Sequence, residues 1–344
     1  MEPVKFVLVG TGNIAGTYVA ATSKVAQAEI VGVVSRDAGR AAEYAAEHSL
    51  GESADSLEAL ETGYDAVMLA TPNGLHHRDT LAAAALGKHV LTEKPLDVTL
   101  DKMDGMIAAC RRAGVRLGVA FQRRMSPANI AMKQLLDSGA LGKLYAADLS
   151  VKFLRGQDYY DSGAWRGTRA VDGGGPFIQQ ASHNVDTITW FFGLPARVQA
   201  VTGLLAHTGI EVEDHGAAIL VWPGGMIGTI VASTVTSPGY PVRLEIHTER
   251  GSVLTINDEI ERWDVEGVDR PEVRSAEAIH SGAGAGGAAV TDTSGHEAII
   301  ADFCEAVRTG RDPAVSGEEA RRTGLLIDTI YRAAEARREV EIPQ

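Results

Sequence analysis

Five short apolar runs punctuate the first 120 residues, each separated from the next by a stretch with helical spacing. Val4 to Val9 predicts a strand, and a helical stretch follows it to about Ala26. Glu29 to Ser35 is almost continuously apolar through Ile30, Val31, Val33 and Val34, the pattern of a strand covered on both faces. Ala38 to His48 reads as a helix, Ala66 to Ala70 as a strand, His76 to Leu86 as a helix, and His89 to Thr92 as a strand. A helix over about Leu100 to Arg112 and a strand over Val115 to Ala120 complete the series. Single strands alternating with single helices predict crossover connections and a mostly parallel sheet.

Beyond Gln122 the rhythm changes. Ala128 to Asp137 predicts a helix, Leu144 to Phe153 alternates like a half-buried strand, and Phe177 to Phe192 has helical spacing. From Ala196 the chain is strand-rich, with runs at Val198 to Thr202, His215 to Trp222, Met226 to Thr234 and Arg243 to Thr248. Gly224-Gly225 marks a hairpin between two of them, and Val253 to Asn257 with Glu259 to Asp264 predicts a further ribbon. Two amphipathic helices, His296 to Thr309 and Glu318 to Arg337, are expected to close the second domain, with the final residues frayed. The glycine-alanine run 281–288 lacks bulky groups and reads as a mobile surface loop, with a substrate lid as the alternative. The expected organisation is an α/β protein of two domains, 1–122 with a mostly parallel sheet and 123–344 with a large, mainly antiparallel one.

The chain has 344 residues and carries 45 acidic against 32 basic side chains, a formal charge of −13. That balance argues against nucleic acid or an anionic membrane as partner. No basic leader precedes the first strand, and no run reaches the length of a membrane helix, so a cytoplasmic location is expected. The two cysteines, Cys110 and Cys304, support neither a disulfide framework nor a thiolate metal site.

The chemistry begins where the first strand ends. Gly10-Thr11-Gly12-Asn13-Ile14-Ala15 has the GxGxxA spacing of a dinucleotide turn. Gly10 permits the tight turn, Gly12 lets a diphosphate approach the backbone, and Ala15 lets the helix pack closely. Thr11, Asn13 and Ile14 lie within the same cradle, at a helix N-terminus suited to phosphate. After the second strand comes Ser35-Arg36, with Arg40 one turn on, where many NAD sites place an acid. Ser35, Arg36 and Arg40 suit a ribose 2′-phosphate and favour NADP over NAD, while Asp37 competes as a ribose ligand. Thr71-Pro72-Asn73 follows the third strand at the sheet edge where such folds bind ligands, and His76, at the start of the next helix, is counted with the cofactor-binding residues, with helix capping or surface exposure as its competing role. Glu93-Lys94-Pro95-Leu96 follows the fourth strand, and its proline cannot continue a helix.

In the second half, Tyr159 to Gly167 concentrates aromatic and polar groups: Trp165 suits stacking on a sugar face, and Arg166 suits a hydroxyl, carboxylate or phosphate. Arg123 and Arg124 form a basic pair at the domain junction, open to substrate or to a salt bridge. Gly173-Gly174-Gly175-Pro176 precedes Gln179, His183 and Asp186, which helical spacing puts near one face. Gln179 is read as orienting a substrate hydroxyl, His183 as exchanging its proton, and Asp186 as setting the histidine. His183 and Asp186 offer only two plausible ligands, so no metal is expected.

Taken in order, the glycine loop, Thr71-Pro72-Asn73 to His76, the run from Gly87 to Leu96, and the triple glycine followed by His183 and Asp186 resemble the Gfo/Idh/MocA family of NAD(P)-dependent oxidoreductases. The resemblance spans nearly the whole chain. It implies an N-terminal Rossmann domain and a C-terminal α/β domain whose sheet floors the substrate site and often forms an oligomer surface, here a homodimer or homotetramer. It also implies that Lys94 lies near nicotinamide and the reacting oxygen, that Glu93 belongs to the cofactor side, that Arg124 faces substrate, and that His183 transfers the proton. The family often has aspartate where this chain has Gln179, which places any mechanism requiring that carboxylate in doubt. The implied reaction is reversible hydride transfer between nicotinamide and a secondary alcohol or ketone of a sugar, sugar derivative or cyclitol. The alternatives are a nucleotide-linked or aldehyde-containing sugar as substrate, and a nonenzymatic dinucleotide sensor.

Overall fold

The computed structural model describes residues 2–273 and 292–343. They divide into two compact units, 2–122 with 292–321 and 123–273 with 322–343. The run 281–288 lies outside the described residues.

The first unit opens with β1 (Val4–Val9), α1 (Asn13–Thr22), β2 (Ala28–Val34), α2 (Ala38–His48), β3 (Glu52–Ala54), β4 (Ala66–Leu69), α3 (His76–Ala85), β5 (His89–Thr92), α4 (Leu100–Ala113) and β6 (Leu117–Val119). Its six strands pair in the order β3-β2-β1-β4-β5-β6, all in parallel. Val7, Leu8, Val67, Met68 and Val90 are wholly buried, as runs flanked by helices on both faces must be. The chain builds outward from β1 to β3 and then returns to add β4. The strand order therefore reverses between β1 and β4, and the loops after the strands open onto one edge there.

The second unit contains α5 (Pro127–Asp137), β7 (Leu144–Lys152), α6 (Gln157–Asp161), α7 (Pro176–Gln179), α8 (Ser182–Phe192), β8 (Arg197–Gly203), β9 (His215–Val221), β10 (Ile227–Ser233), β11 (Arg243–Thr248), β12 (Gly251–Ile256) and β13 (Glu259–Val265). The chain ends with α9 (Ser294–Thr309), α10 (Gly317–Ala336) and β14 (Val340–Glu341). Eight strands pair in the order β13-β12-β11-β7-β10-β9-β8-β14, with only β7 and β10 parallel. One face alternates into a core with the helices, built on residues such as Leu149, Phe177, Ile188, Leu220, Ile230 and Leu326. The other face leaves Val201, Ile219 and Ile227 exposed.

Three expectations need correction. The penultimate helix does not close the second domain: α9 falls in the first unit, where buried Phe303 meets Phe6 of β1 with ring centres 6.1 Å apart. Gly118 of β6 makes room for that ring, since a Cβ there would lie 2.7 Å from it. The final residues do not fray, because β14 pairs antiparallel with β8. The helix expected over 177–192 is two helices, broken where Ala181 N–H reaches back five residues to Pro176 O at 2.8 Å. That longer closure widens the turn and stops the α-helical register.

Candidate functional site

In the first unit, Gly10 leaves β1 at φ +104°, and a Cβ there would lie 2.8 Å from Ala70 O, so only glycine fits. Nothing stands within 4 Å of a Cβ built on Gly12, which caps α1 without a side-chain bond. That open space beside unpaired helix N–H groups fits the diphosphate of a dinucleotide. Thr11, Asn13 and Ile14 lie partly or fully open around it, while Ala15 is buried beneath.

After β2, Asp37 accepts the Arg40 N–H at 3.1 Å as the cap of α2. Arg40 also donates to Thr11 O at 3.2 Å, linking this loop to the glycine turn. Arg36 is exposed and Ser35 half-buried. The competing acid is thus engaged by its own helix, and the two arginines border the position after β2 where the cofactor ribose is bound in such folds.

Lys94 stands on a turn fixed at several points. Glu93 N–H donates to Leu69 O at 3.0 Å, and the Lys94 N–H donates to Glu93 Oε2 at 3.1 Å. The Lys94-Pro95 peptide is cis. Pro95 O lies 2.9 Å from His76 Nδ1, and the other ring nitrogen lies 3.0 Å from Thr71 O. Asp97, wholly buried, accepts His77 N–H at 2.8 Å and Val98 N–H at 2.6 Å, with Lys102 Nζ at 3.4 Å. His76 was expected on the cofactor. It is wholly buried with each ring nitrogen on a backbone carbonyl, so we correct its role to bracing the lysine turn against the Thr71-Pro72-Asn73 loop.

Beneath the same turn, Glu93 Oε1 meets His296 Nε2 of α9 at 3.2 Å, and the Tyr18 ring lies edge-on to that imidazole at 5.5 Å. Burial works against the Glu93 carboxylate, but the bond and charge of His296, followed by Lys94, outweigh it and hold its pKa below the ordinary value. Glu93 is therefore an ionised foundation for the lysine turn. His296 was not among the expected residues, and its 203-residue separation from Glu93 left no local signal.

In the second unit, the approach to His183 is organised by two buried acids absent from the expected set, Asp172 and Glu213. Asp172 Oδ2 accepts Gly167 N–H at 2.7 Å, and its backbone oxygen accepts the side-chain amide of Gln179. Glu213 accepts Gly175 N–H at 3.0 Å, Phe177 N–H at 3.4 Å and the Tyr331 hydroxyl at 2.9 Å. Burial raises the Glu213 pKa, and those donors pull it back only in part. Together the acids fix both ends of the triple-glycine segment. Asp172 lies directly before it in sequence, which was a readable signal.

Gln179 ends α7 and His183 is the second residue of α8, so the expected single helical face is replaced by two adjoining helix ends. Gln179 uses its amide N–H to tie α7 to Asp172, and His183 is half-buried at the start of the next helix. Arg124 was expected to face substrate. It is 4% exposed and grips Asp186 with Nε and Nη2 at 2.7 and 2.8 Å, while Thr323 donates to the same carboxylate at 2.8 Å. Asp186 is accordingly the counter-ion of Arg124, and Arg123 pairs with buried Asp258. Trp165 and Arg166 remain half-buried on the preceding loop.

Comparison with known proteins agrees with this division. Residues 4–121 match the oxidoreductase family with an NAD-binding Rossmann fold, and residues 130–254 match the GFO/IDH/MocA C-terminal domain. The chain is 29% identical to 1,5-anhydro-D-fructose reductase of Ensifer adhaerens, over 93% of this chain and 94% of that protein. It is also 29% identical to D-xylose 1-dehydrogenase (NADP(+)) 2 of Haloferax volcanii, over 98% and 99%. The WlbA dehydrogenase of Bordetella pertussis, solved with NADH and UDP-GlcNAcA, superposes with a TM-score of 0.86 at 29% identity and covers both chains fully. Inositol dehydrogenases are among the further relatives. The chain belongs to the GFO/IDH/MocA oxidoreductase family. It is an NAD(P)-dependent dehydrogenase or reductase, and the sensor alternative is set aside. Among the described residues, no helix is long and apolar enough to cross a membrane.

Proposed function

We propose that Lys94 and His183 act together on a secondary alcohol or ketone of a sugar, sugar derivative or cyclitol, with NADP(H) preferred. The bound nicotinamide would supply hydride exchange. In oxidation, His183 takes the hydroxyl proton, a task suited to a side chain whose reference pKa is about 6.5. The Lys94 ammonium opposes negative charge on the same oxygen. In reduction both roles reverse. The glycine cradle of 10–14 would hold the diphosphate, Arg36 and Arg40 the 2′-phosphate, and Thr71-Pro72-Asn73 the loop beside nicotinamide.

The observation that carries this reading is the fixed turn at Lys94. In the parallel sheet, the loops after β1 and β5 open on one edge, two strand spacings apart. That spacing is roughly 10 Å, within the reach of one dinucleotide. A half-buried lysine on a fixed turn there is suited to reaction chemistry. Cofactor reduction followed across sugars, cyclitols and sugar nucleotides, with keto compounds in reverse, tests it. Turnover of at least one of these is expected, and tight cofactor binding without turnover across the panel would reject it.

A second reading assigns the alcohol to a nucleotide-linked sugar. The full-length likeness to WlbA, solved with UDP-GlcNAcA, favours it. The amide at Gln179 is compatible with that substrate class. Self-association through the outer sheet face, where Val201, Ile219 and Ile227 are exposed, completes the proposal.

A further inference from the structure

Between β7 and the triple glycine, the second unit holds two guanidinium groups against one phenol. Arg155 Cζ lies 5.5 Å from the Tyr159 ring centre and Arg166 Cζ lies 4.3 Å from it. Arg166 is also 4.7 Å from the Trp165 ring, and Arg155 is 5.7 Å from Phe153. These distances fall within the range of cation–π attraction, which holds the planes in place, and Arg166 also hydrogen-bonds the Tyr159 side chain. Among the described residues, neither guanidinium makes an ion pair. Arg155 donates to Leu154 O at 3.1 Å, and its Nε is buried without a hydrogen-bond partner.

Two cations held on one ring repel each other, and this chain has acidic groups to spare at a net charge of −13. Acids of the same segment bond other donors. The Asp172 carboxylate accepts the Gly167 N–H, and Asp161 accepts the Gln157 amide at 3.0 Å. Asp172 does contribute to the field here: burial raises the Tyr159 pKa, the arginine charges lower it, and the Asp172 charge raises it. Arg166 belongs to the segment leading to His183, since it directly precedes Gly167 and Asp172 joins Gly167 to Gln179, and Arg155 meets that segment through the Tyr159 ring it shares with Arg166.

We infer that Arg155 and Arg166 form a binding site for an anionic group, carboxylate or phosphate, carried by the same substrate whose alcohol is presented to His183. A guanidinium fork matches the paired oxygens of either group, and two forks on one rigid ring select for it over a hydroxyl. The inference rests on the reading that residues 159–183 meet substrate, and it narrows the substrate class to acidic or phosphorylated sugars.

The test uses the full-length protein with four probes: D-glucose, D-glucuronate, UDP-GlcNAc and UDP-GlcNAcA. Two ratios of kcat/KM, uronate over parent sugar and UDP-linked over free sugar, are measured for the wild type, Arg166→Gln, Arg155→Gln and Arg166→Lys. A carboxylate site favours each uronate over its parent sugar; a phosphate site favours both UDP-linked probes over both free sugars. In either case Arg166→Gln is expected to lower that ratio about 30-fold, the loss of one charged hydrogen-bonded contact. Arg166→Lys keeps the charge without the fork and is expected to fall between. Equal use of all four probes, or ratios unmoved by both glutamine variants, would overturn the site. Calorimetric binding of the same probes provides the ratios even without turnover, in which case the oxidoreductase reading fails while the anion site is still judged.

Discussion

Around Lys94 the chain fastens a turn largely from outside: His76 and His77 of α3 and His296 of α9 reach the backbone or side chains of residues 93–97. Around His183 the fastening runs the other way, with buried carboxylates of Asp172 and Glu213 collecting backbone N–H groups from the glycine-rich segment. The difference follows from composition. A turn containing proline offers few N–H donors and must be gripped through its carbonyls and carboxylates. A triple-glycine segment has no side chains to pack and must be gripped through its N–H groups. On the proposed assignment, the first arrangement suits a lysine held fixed beside the cofactor. The second keeps a glycine backbone defined where the proposed substrate would approach.

Breaking the two grips should give different kinetic signatures. Of the changes that break a grip, the largest effect is expected from Asp97→Ala, which takes the acceptor from the part-buried His77 and Val98 N–H groups at about 1 kcal/mol each. It should lower the melting temperature and reduce kcat by about tenfold or more. Unchanged kcat in a folded variant would separate the turn from the chemistry. Next, Asp172→Ala should raise KM more than it lowers kcat, because it releases Gly167 and the loop bearing Trp165 and Arg166. A loss of roughly 1 to 2 kcal/mol, or 5- to 30-fold in kcat/KM, is expected from one buried bond to a charged acceptor. An effect on kcat alone would contradict the assignment of that grip to substrate.

A smaller effect concerns pH. The Glu93 pKa is lowered in the folded protein, so its stabilisation is present above the ordinary value of 4.5 and is lost as pH falls through the lowered one. Glu93→Gln should therefore flatten the acid side of the stability profile, read as melting temperature against pH. The smallest is Arg40→Ala, expected to weaken NADPH about tenfold in Kd while leaving NADH within a factor of three. Equal weakening of both would place NADP preference elsewhere.

Much of this was readable in the chain. The doubly covered strands announced themselves as apolar runs, and the glycine turn and Lys94-Pro95 lay at strand ends where the sheet opens. What could not be read were partnerships between distant residues. Arg124 looks like a substrate ligand until Asp186, 62 residues on, is found against it. His296 belongs to a helix whose amphipathic pattern fits either unit, and the fit of Phe303 to Phe6 and Gly118, with His296 against Glu93, assigns it to the first. The split between α7 and α8 was equally hidden, because Gln179 and His183 keep helical spacing while a five-residue closure separates their helices.

The most direct test of the central claim is the single-turnover rate of hydride transfer in Lys94→Ala and His183→Ala, with cofactor Kd measured in parallel. The account predicts a fall of about 10²-fold or more in each variant with Kd changed less than about threefold. Near-normal rates in both, with cofactor bound normally, would contradict it.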